Sequence, residues 1–232
     1  MTAAAPRSRQ RREPPGTGRL DLYREHAAEY EASREPSFVD VAPALYLALD
    51  GTGAHGGAEF QEATAVLYNV AFAIKMRRKA AGQDYATTGL EALWPEGPEA
   101  ARWRLLIRVP EFIRSEDIER ARELVGRGRM GHAAAAVRLE RLEEGRCVQV
   151  LHVGSYAAVP ETIRRMHAFA EAHGYRFCGA HHQLYVADPR RVPPPRLRTL
   201  LRQPVCPEAG AGEPAAARTE DPGSVDTPSQ TG

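Results

Sequence analysis

Apolar residues at Phe60, Ala63, Leu67, Val70 and Ile74 recur at alternating spacings of three and four, which places them on one face of a long helix. Ahead of this helix, residues 44–50 (ALYLALD) form a short apolar run that reads as a strand and breaks at a glycine-rich turn, GTGAHGG. After the helix, residues 88–94 and 103–109 read as two strands separated by Pro-Glu-Gly-Pro at 95–98. The order then returns. Residues 148–153 end at Gly154, a helix starts near Pro160 with Val159, Ile163, Met166 and Ala170 on one face, and residues 181–187 follow as a strand. Pro160 suits a first helical turn, whose amide has no partner in any case. A charged helix at 115–125 and a strand at 135–142 lie between the halves. The pattern predicts an α+β fold in which two strand-helix-strand halves bury their helices on one face of a mainly antiparallel sheet.

The segment 181–205, HHQLYVADPRRVPPPRLRTLLRQPV, adds chemistry to this outline. In its strand Gln183 and Tyr185 alternate with His182 and Leu184, so the two sets point to opposite faces. Asp188-Pro189 ends the strand. Three prolines, 193–195, then precede LRTLLR, which reads as a short basic helix stopped by Pro204. The segment resembles the C-terminal signature of the GyrI-like small-molecule-binding family, in which a strand reading HHE-(I/V)-YLSDPRR is followed by a proline and a KLKT-LRQPV-like close. Further blocks stand in the family's order across residues 20–205: YLALDGTG with GAEFQEA and an aromatic-bearing helix, the LEALW strand, the WRLLI-RVP-F strand, and the LHVGSY…ETI…H-F turn and helix.

This resemblance implies a pseudo-two-fold pair of strand-helix-strand-strand modules, about 40–110 and 130–205, around a ligand cleft. Similar domains occur as the effector-binding part of multidrug-responsive transcription regulators, as gyrase-modulating proteins, and as hydrolases that open the cyclopropane of cyclopropanoid DNA-alkylating antibiotics. No helix-turn-helix precedes this copy, so a stand-alone ligand-binding or ligand-destroying protein is the expectation.

Composition narrows the partners. A chain of 232 residues with 43% hydrophobic residues can bury a substantial core, and a formal charge of +1 does not point to nucleic acid. No apolar run reaches the roughly 18 residues of a membrane span, and the basic N-terminus has no apolar signal core behind it, so a soluble cytoplasmic protein is expected. Its partner would be a small hydrophobic aromatic ligand. Residues 1–19 and 206–232 read as solvated, disordered tails. The three cysteines, Cys147, Cys178 and Cys206, lack metal-type spacing and read as reduced structural thiols. GTGAHGG is followed by no GK(S/T), His and Cys do not cluster as zinc ligands, and there is no G-x-S-x-G elbow, so no cofactor or metal is expected. The sequence carries no signal for an oligomeric state.

The proposed cleft supplies the candidate residues. Aligning 92–94 with 183–185 by the pseudosymmetry makes Trp94 and Tyr185 equivalent, two aromatic walls that would grip a flat ligand. Trp103 on the next strand, and Tyr68 with Phe72 one turn apart on the long helix, would complete an aromatic box; each can equally be core. The family usually has glutamate at the position of Gln183, and the resemblance makes that carboxylate the group that meets cationic ligands or activates water. An amide can do neither, although it can orient a water or donate to a carbonyl oxygen. His181 shares the face of Gln183 and is either a base or a structural histidine, whereas His182 reads as structural. Glu91 remains a carboxylate, but alternation sends it to the face opposite Trp94. Tyr156 can donate its hydroxyl into the pocket or close the turn. Arg190 and Arg191 read as solvated or structural ion-pair residues. Together these residues suit a detoxifying hydrolase that opens a cyclopropane by adding water, with Gln183 and Tyr156 or Tyr185 as donors and His181 or Glu91 as base. The rival reading is a protein that sequesters or senses similar drugs without chemistry.

Overall fold

Two short helices, α1 (Leu22–Glu25) and α2 (Ala27–Tyr30), and a strand, β1 (Ser37–Val41), lead into the first repeat. That repeat runs β2 (Ala44–Thr52), α3 (Ala58–Ala80), β3 (Glu91–Trp94) and β4 (Arg102–Val109). The connection holds α4 (Ser115–Gly126), α5 (Gly131–Ala135) and β5 (Arg138–Leu142). The second repeat is β6 (Gly145–Val153), α6 (Val159–Ala172), the short β7 (Tyr175–Phe177), β8 (His181–Tyr185) and β9 (Arg198–Pro207). This computed structural model describes residues 19–95, 101–127, 131–188 and 190–208. The expected tails lie outside the described residues apart from 19 and 206–208, as does the 95–98 loop beyond its first residue.

The main sheet has the order β1-β6-β9-β8-β3-β4-β2-β5, with β7 added against β9, and its ladders are antiparallel. Exchanging β2 with β6, β3 with β8, β4 with β9 and β1 with β5 maps that order onto itself, so a pseudo-two-fold axis passes between β3 and β8. The leading strands are exchanged: β1 precedes the first repeat but pairs with β6, and β5 precedes the second but pairs with β2. This exchange ties the halves into one sheet. Cross-strand neighbours share a face, so the row Leu49, Leu105, Ala92, Gln183, Leu201 and Val150 defines the front. There Leu67, Val70 and Ile74 of α3 pack on Leu47, Leu105 and Ile107, and Met166 and Ala170 of α6 pack on Val148, Val150 and Leu201. Among the described residues no helix is long and apolar enough to cross a membrane.

Two local expectations are corrected. LRTLLR is strand rather than helix. Leu197, Leu200 and Leu201 fit a helical spacing, but the segment lies between β6 and β8, and the ladders on both sides override the local pattern. Cys178 and Cys206 form a disulfide instead of remaining thiols, because the β7–β9 ladder brings together two cysteines 28 residues apart. Cys147 is free and buried.

The back of the sheet is polar at its centre. His182 is fully buried, with Nδ1 2.9 Å from Glu144 Oε1 and Nε2 3.1 Å from Glu91 Oε2. Arg202 donates to Glu144 Oε2 at 3.0 Å and to Gln149 Oε1 at 2.9 Å. The segment carrying α1 and α2 closes over this network: Glu29 pairs with Arg108 at 2.6 Å, the Tyr30 hydroxyl donates to Glu91 at 3.2 Å, and Gln149 donates to the Glu31 carbonyl at 3.0 Å. Three carboxylates thus face Arg108, Arg202 and His182. A carboxylate oxygen lies near each ring nitrogen, an arrangement that favours the imidazolium, and with it three cations and three carboxylates balance. Interaction with Glu144 and Glu91 outweighs burial and raises the His182 pKa to about 9. Arg202 of the C-terminal signature also donates to the Glu29 carbonyl and so ties the N-terminal segment to this network, which His182 joins through Glu91 and Glu144.

Candidate functional site

Along the central β3–β8 ladder Ala92 lies opposite Gln183 and Trp94 opposite His181, while the Tyr185 amide donates to the Leu90 carbonyl at 3.0 Å. Trp94, His181, Gln183 and Tyr185 therefore share the front face at the junction of the halves. The loop after β2 crosses above them. Gly53 (φ 116°) and Gly56 (φ 69°) take left-handed backbone that a side chain would strain, and between them the loop presents His55. The His55 ring lies 4.1 Å from Tyr156, 5.3 Å from Phe60, 5.6 Å from Trp94 and 5.7 Å from Tyr185. Phe60 stacks parallel to Trp94 at 6.1 Å and meets Trp103 edge-on at 5.4 Å. Trp103 lies flat over Gly51, where a Cβ would come within 2.0 Å of the indole, so only glycine admits that packing. Tyr156 completes the enclosure, 6.1 Å from Tyr185. Its turn is fixed by His152, whose ring nitrogens meet Thr162 Oγ1 at 2.8 Å and the Ser155 carbonyl at 3.1 Å.

Polar atoms inside this aromatic box form a short chain. His55 Nε2 lies 3.0 Å from the Tyr185 hydroxyl, which donates to Gln183 Oε1 at 3.3 Å. Burial raises the pKa values of Tyr156 and Tyr185 and lowers that of His55. Burial, aided by the neighbouring charge on His182, lowers His181 to about 4. The walls are therefore uncharged at neutral pH. The Trp103 indole nitrogen is buried without a hydrogen-bond partner among the described residues, and the Trp94 nitrogen and Thr199 hydroxyl approach Tyr185 and Tyr156 without hydrogen-bond geometry, which leaves donors for a ligand oxygen or a water.

The structure brings Trp94, Tyr185, Trp103, Tyr156, Gln183 and His181 to one face and separates the other sequence candidates from them. Glu91 lies on the back with His182, as alternation predicts, and does not reach the box. Tyr68 and Phe72 are 37% and 60% exposed on α3 and make no ring contact with the box. Sequence reasoning missed His55, reading GTGAHGG only as a turn, and assigned Phe60 to the helix core alone. The available signal was a histidine inside a glycine-rich loop that joins an apolar strand to a helix. A cavity of about 610 Å³ beside Leu22, Arg108 and Phe112 and one of about 380 Å³ beside Tyr30, Glu91 and Leu200 are lined largely by back-face and N-terminal residues, with Tyr185 bordering the second. Among the described residues no group of His, Cys, Asp and Glu is arranged to hold a metal ion.

Comparison with known proteins places this architecture. The sequence profile of the GyrI-like small molecule binding domain matches residues 131–205. An uncharacterized conserved protein from Listeria innocua is 33% identical, with a TM-score of 0.74, over 81% of this chain and 100% of its own. A hydrolase from Listeria innocua is similar to the same degree, 33% identical over 81% of this chain and 100% of its own, with a TM-score of 0.74. The C-terminal domain of EcmrR shares the fold at 10% identity, with a TM-score of 0.51 over 75% of this chain and 98% of its own. No curated protein matches the sequence. With both its sequence and its two-module sheet in common with these proteins, the chain belongs to the GyrI-like small-molecule-binding family.

Proposed function

We propose that this protein is a detoxifying hydrolase that takes a flat, hydrophobic, DNA-damaging compound between Trp94 and Tyr185 and opens its activated cyclopropane with water. The observation that carries this reading is the uncharged aromatic box built from both halves, with unused donors at Trp94, Trp103 and Thr199. Such a box suits a neutral planar ligand that presents a carbonyl oxygen. Neither acid position read from the sequence supplies a counter-charge for a cation, because Gln183 is an amide and Glu91 lies on the other face of the sheet. Likeness to a hydrolase from Listeria innocua adds support.

Opening a cyclopropane conjugated to a dienone needs a water held at the strained carbon and a donor at the oxygen that becomes phenolate. In this reading Gln183 and Tyr185 hold the water and Tyr156 donates to the oxygen. The rival reading, sequestration without chemistry, is favoured by one observation, the amide at Gln183 where the family usually has a carboxylate.

Binding in the box is tested directly by replacing its walls. Trp94→Ala and Tyr185→Ala should each weaken binding of a neutral planar fluorophore such as pyrenemethanol by roughly 1 to 3 kcal/mol, with the circular dichroism spectrum unchanged. Unaltered affinity in both variants, measured by fluorescence titration, would remove the box as the ligand site.

A further inference from the structure

Four histidines lie in or near the centre of the sheet, and two of them are committed elsewhere. His182 sits on the back between Glu91 and Glu144. Both ring nitrogens of His152 are engaged, by Thr162 and by the Ser155 carbonyl. His181 shares the box face with neither ring nitrogen hydrogen-bonded among the described residues, but it is only 8% exposed and its pKa of about 4 makes it a weak base. The remaining imidazole, His55, is half-buried, enclosed by four aromatic rings from both halves, and aimed by Nε2 at the Tyr185 hydroxyl.

On the hydrolase reading, we infer that His55 is the general base of ring opening and that Tyr185 and Gln183 are its positioning residues. Tyr185 has one hydroxyl proton and two neighbours, Gln183 Oε1 and His55 Nε2. With that proton given to Gln183 Oε1, the Tyr185 oxygen is an acceptor, and in the tautomer protonated at Nδ1 so is His55 Nε2. A water taking the place of this contact is held by Tyr185 and meets Nε2. In the reaction the water oxygen bonds to the methylene carbon of the three-membered ring, and one water proton passes to Nε2. The carbon–carbon bond to the spiro carbon breaks, and its electron pair moves through the dienone onto the carbonyl oxygen. That oxygen gains a proton from solvent as the product leaves, and His55, partly exposed on its loop, returns its own proton to solvent. The balance is the addition of one water, with no oxidant or co-reactant.

The titratable groups around His55 are Tyr156, Tyr185 and, at the start of α3, Glu59, whose carboxylate lies against Gly53 of the same loop. Burial alone accounts for the lowered pKa of His55, so the imidazole is neutral at pH 7 and can accept a proton.

The test follows product formation from a spirocyclopropyl dienone alkylator by wild type, His55→Ala and His55→Gln, alongside pyrenemethanol binding. Both variants should lose about 10²- to 10⁴-fold in kcat while binding the fluorophore within a few-fold of wild type. The fall in wild-type kcat below pH 6.5 should disappear in the variants, and added imidazole should restore part of the His55→Ala activity. Full turnover with an unchanged pH profile in the variants overturns the assignment, as does a loss of turnover that only parallels a loss of binding. A wild-type protein that binds but forms no product removes the hydrolase reading and the base with it; an active wild type with equally active variants removes the base alone.

Discussion

Replacing His182 with leucine is expected to cost about 3 to 5 kcal/mol of folding stability near pH 6, read from urea unfolding, because it leaves a buried carboxylate without its cation. Glu91 would keep only the Tyr30 hydroxyl, and Glu144 only Arg202. The pH dependence has a definite sign. His182 has its pKa raised from 6.5 to about 9 in the fold, so its contribution is complete below pH 6.5 and is lost as pH rises through 9. A shift of that size corresponds to roughly 3 kcal/mol, in keeping with the substitution. Glu144 moves the other way. His182 and Arg202 hold its pKa down at about 2 against burial, so its contribution is present above pH 4.5 and is lost as pH falls through 2. The two shifts report one shared contact and do not add. The stability gap between wild type and His182→Leu should therefore narrow as pH rises from 6.5 through 9; a constant gap would mean that the imidazole is not charged in the fold.

Gln183→Ala should lower turnover of a cyclopropanoid substrate by about 10- to 1000-fold, the scale of one positioned hydrogen-bonding group in a water-poor site. Gln183 accepts from the Tyr185 hydroxyl and so sets the direction of the group that faces His55. Its loss would leave Tyr185 free to rotate while the aromatic walls remain, so KM should change far less than kcat. Equal losses in binding and turnover would instead mark Gln183 as part of the wall.

Much of this arrangement could be read in the chain because it rests on local periodicity. The stripe from Phe60 to Ile74 and the alternation in HHQLY are repeats of a few residues, and they correctly put Gln183 and Tyr185 on one face and Glu91 on the opposite side from Trp94. What could not be read depends on distant pairing. The exchange of β1 and β5 between the halves, the disulfide from Cys178 to Cys206 and the strand at LRTLLR are all set by neighbours far along the chain. His55 escaped notice for a related reason, since two of the four rings around it, Tyr156 and Tyr185, arrive from the second half. In the pair His181-His182, one ring faces the uncharged box and the other lies between two carboxylates, a difference that only the sheet creates.

The most direct measurement of the central claim is mass analysis of a cyclopropanoid genotoxin incubated with the purified protein. The account predicts conversion to a product heavier by one water, abolished or strongly slowed by Trp94→Ala and Tyr185→Ala. Recovery of the compound unchanged, from a protein that binds it tightly, would contradict hydrolysis and leave sequestration as the function of the box.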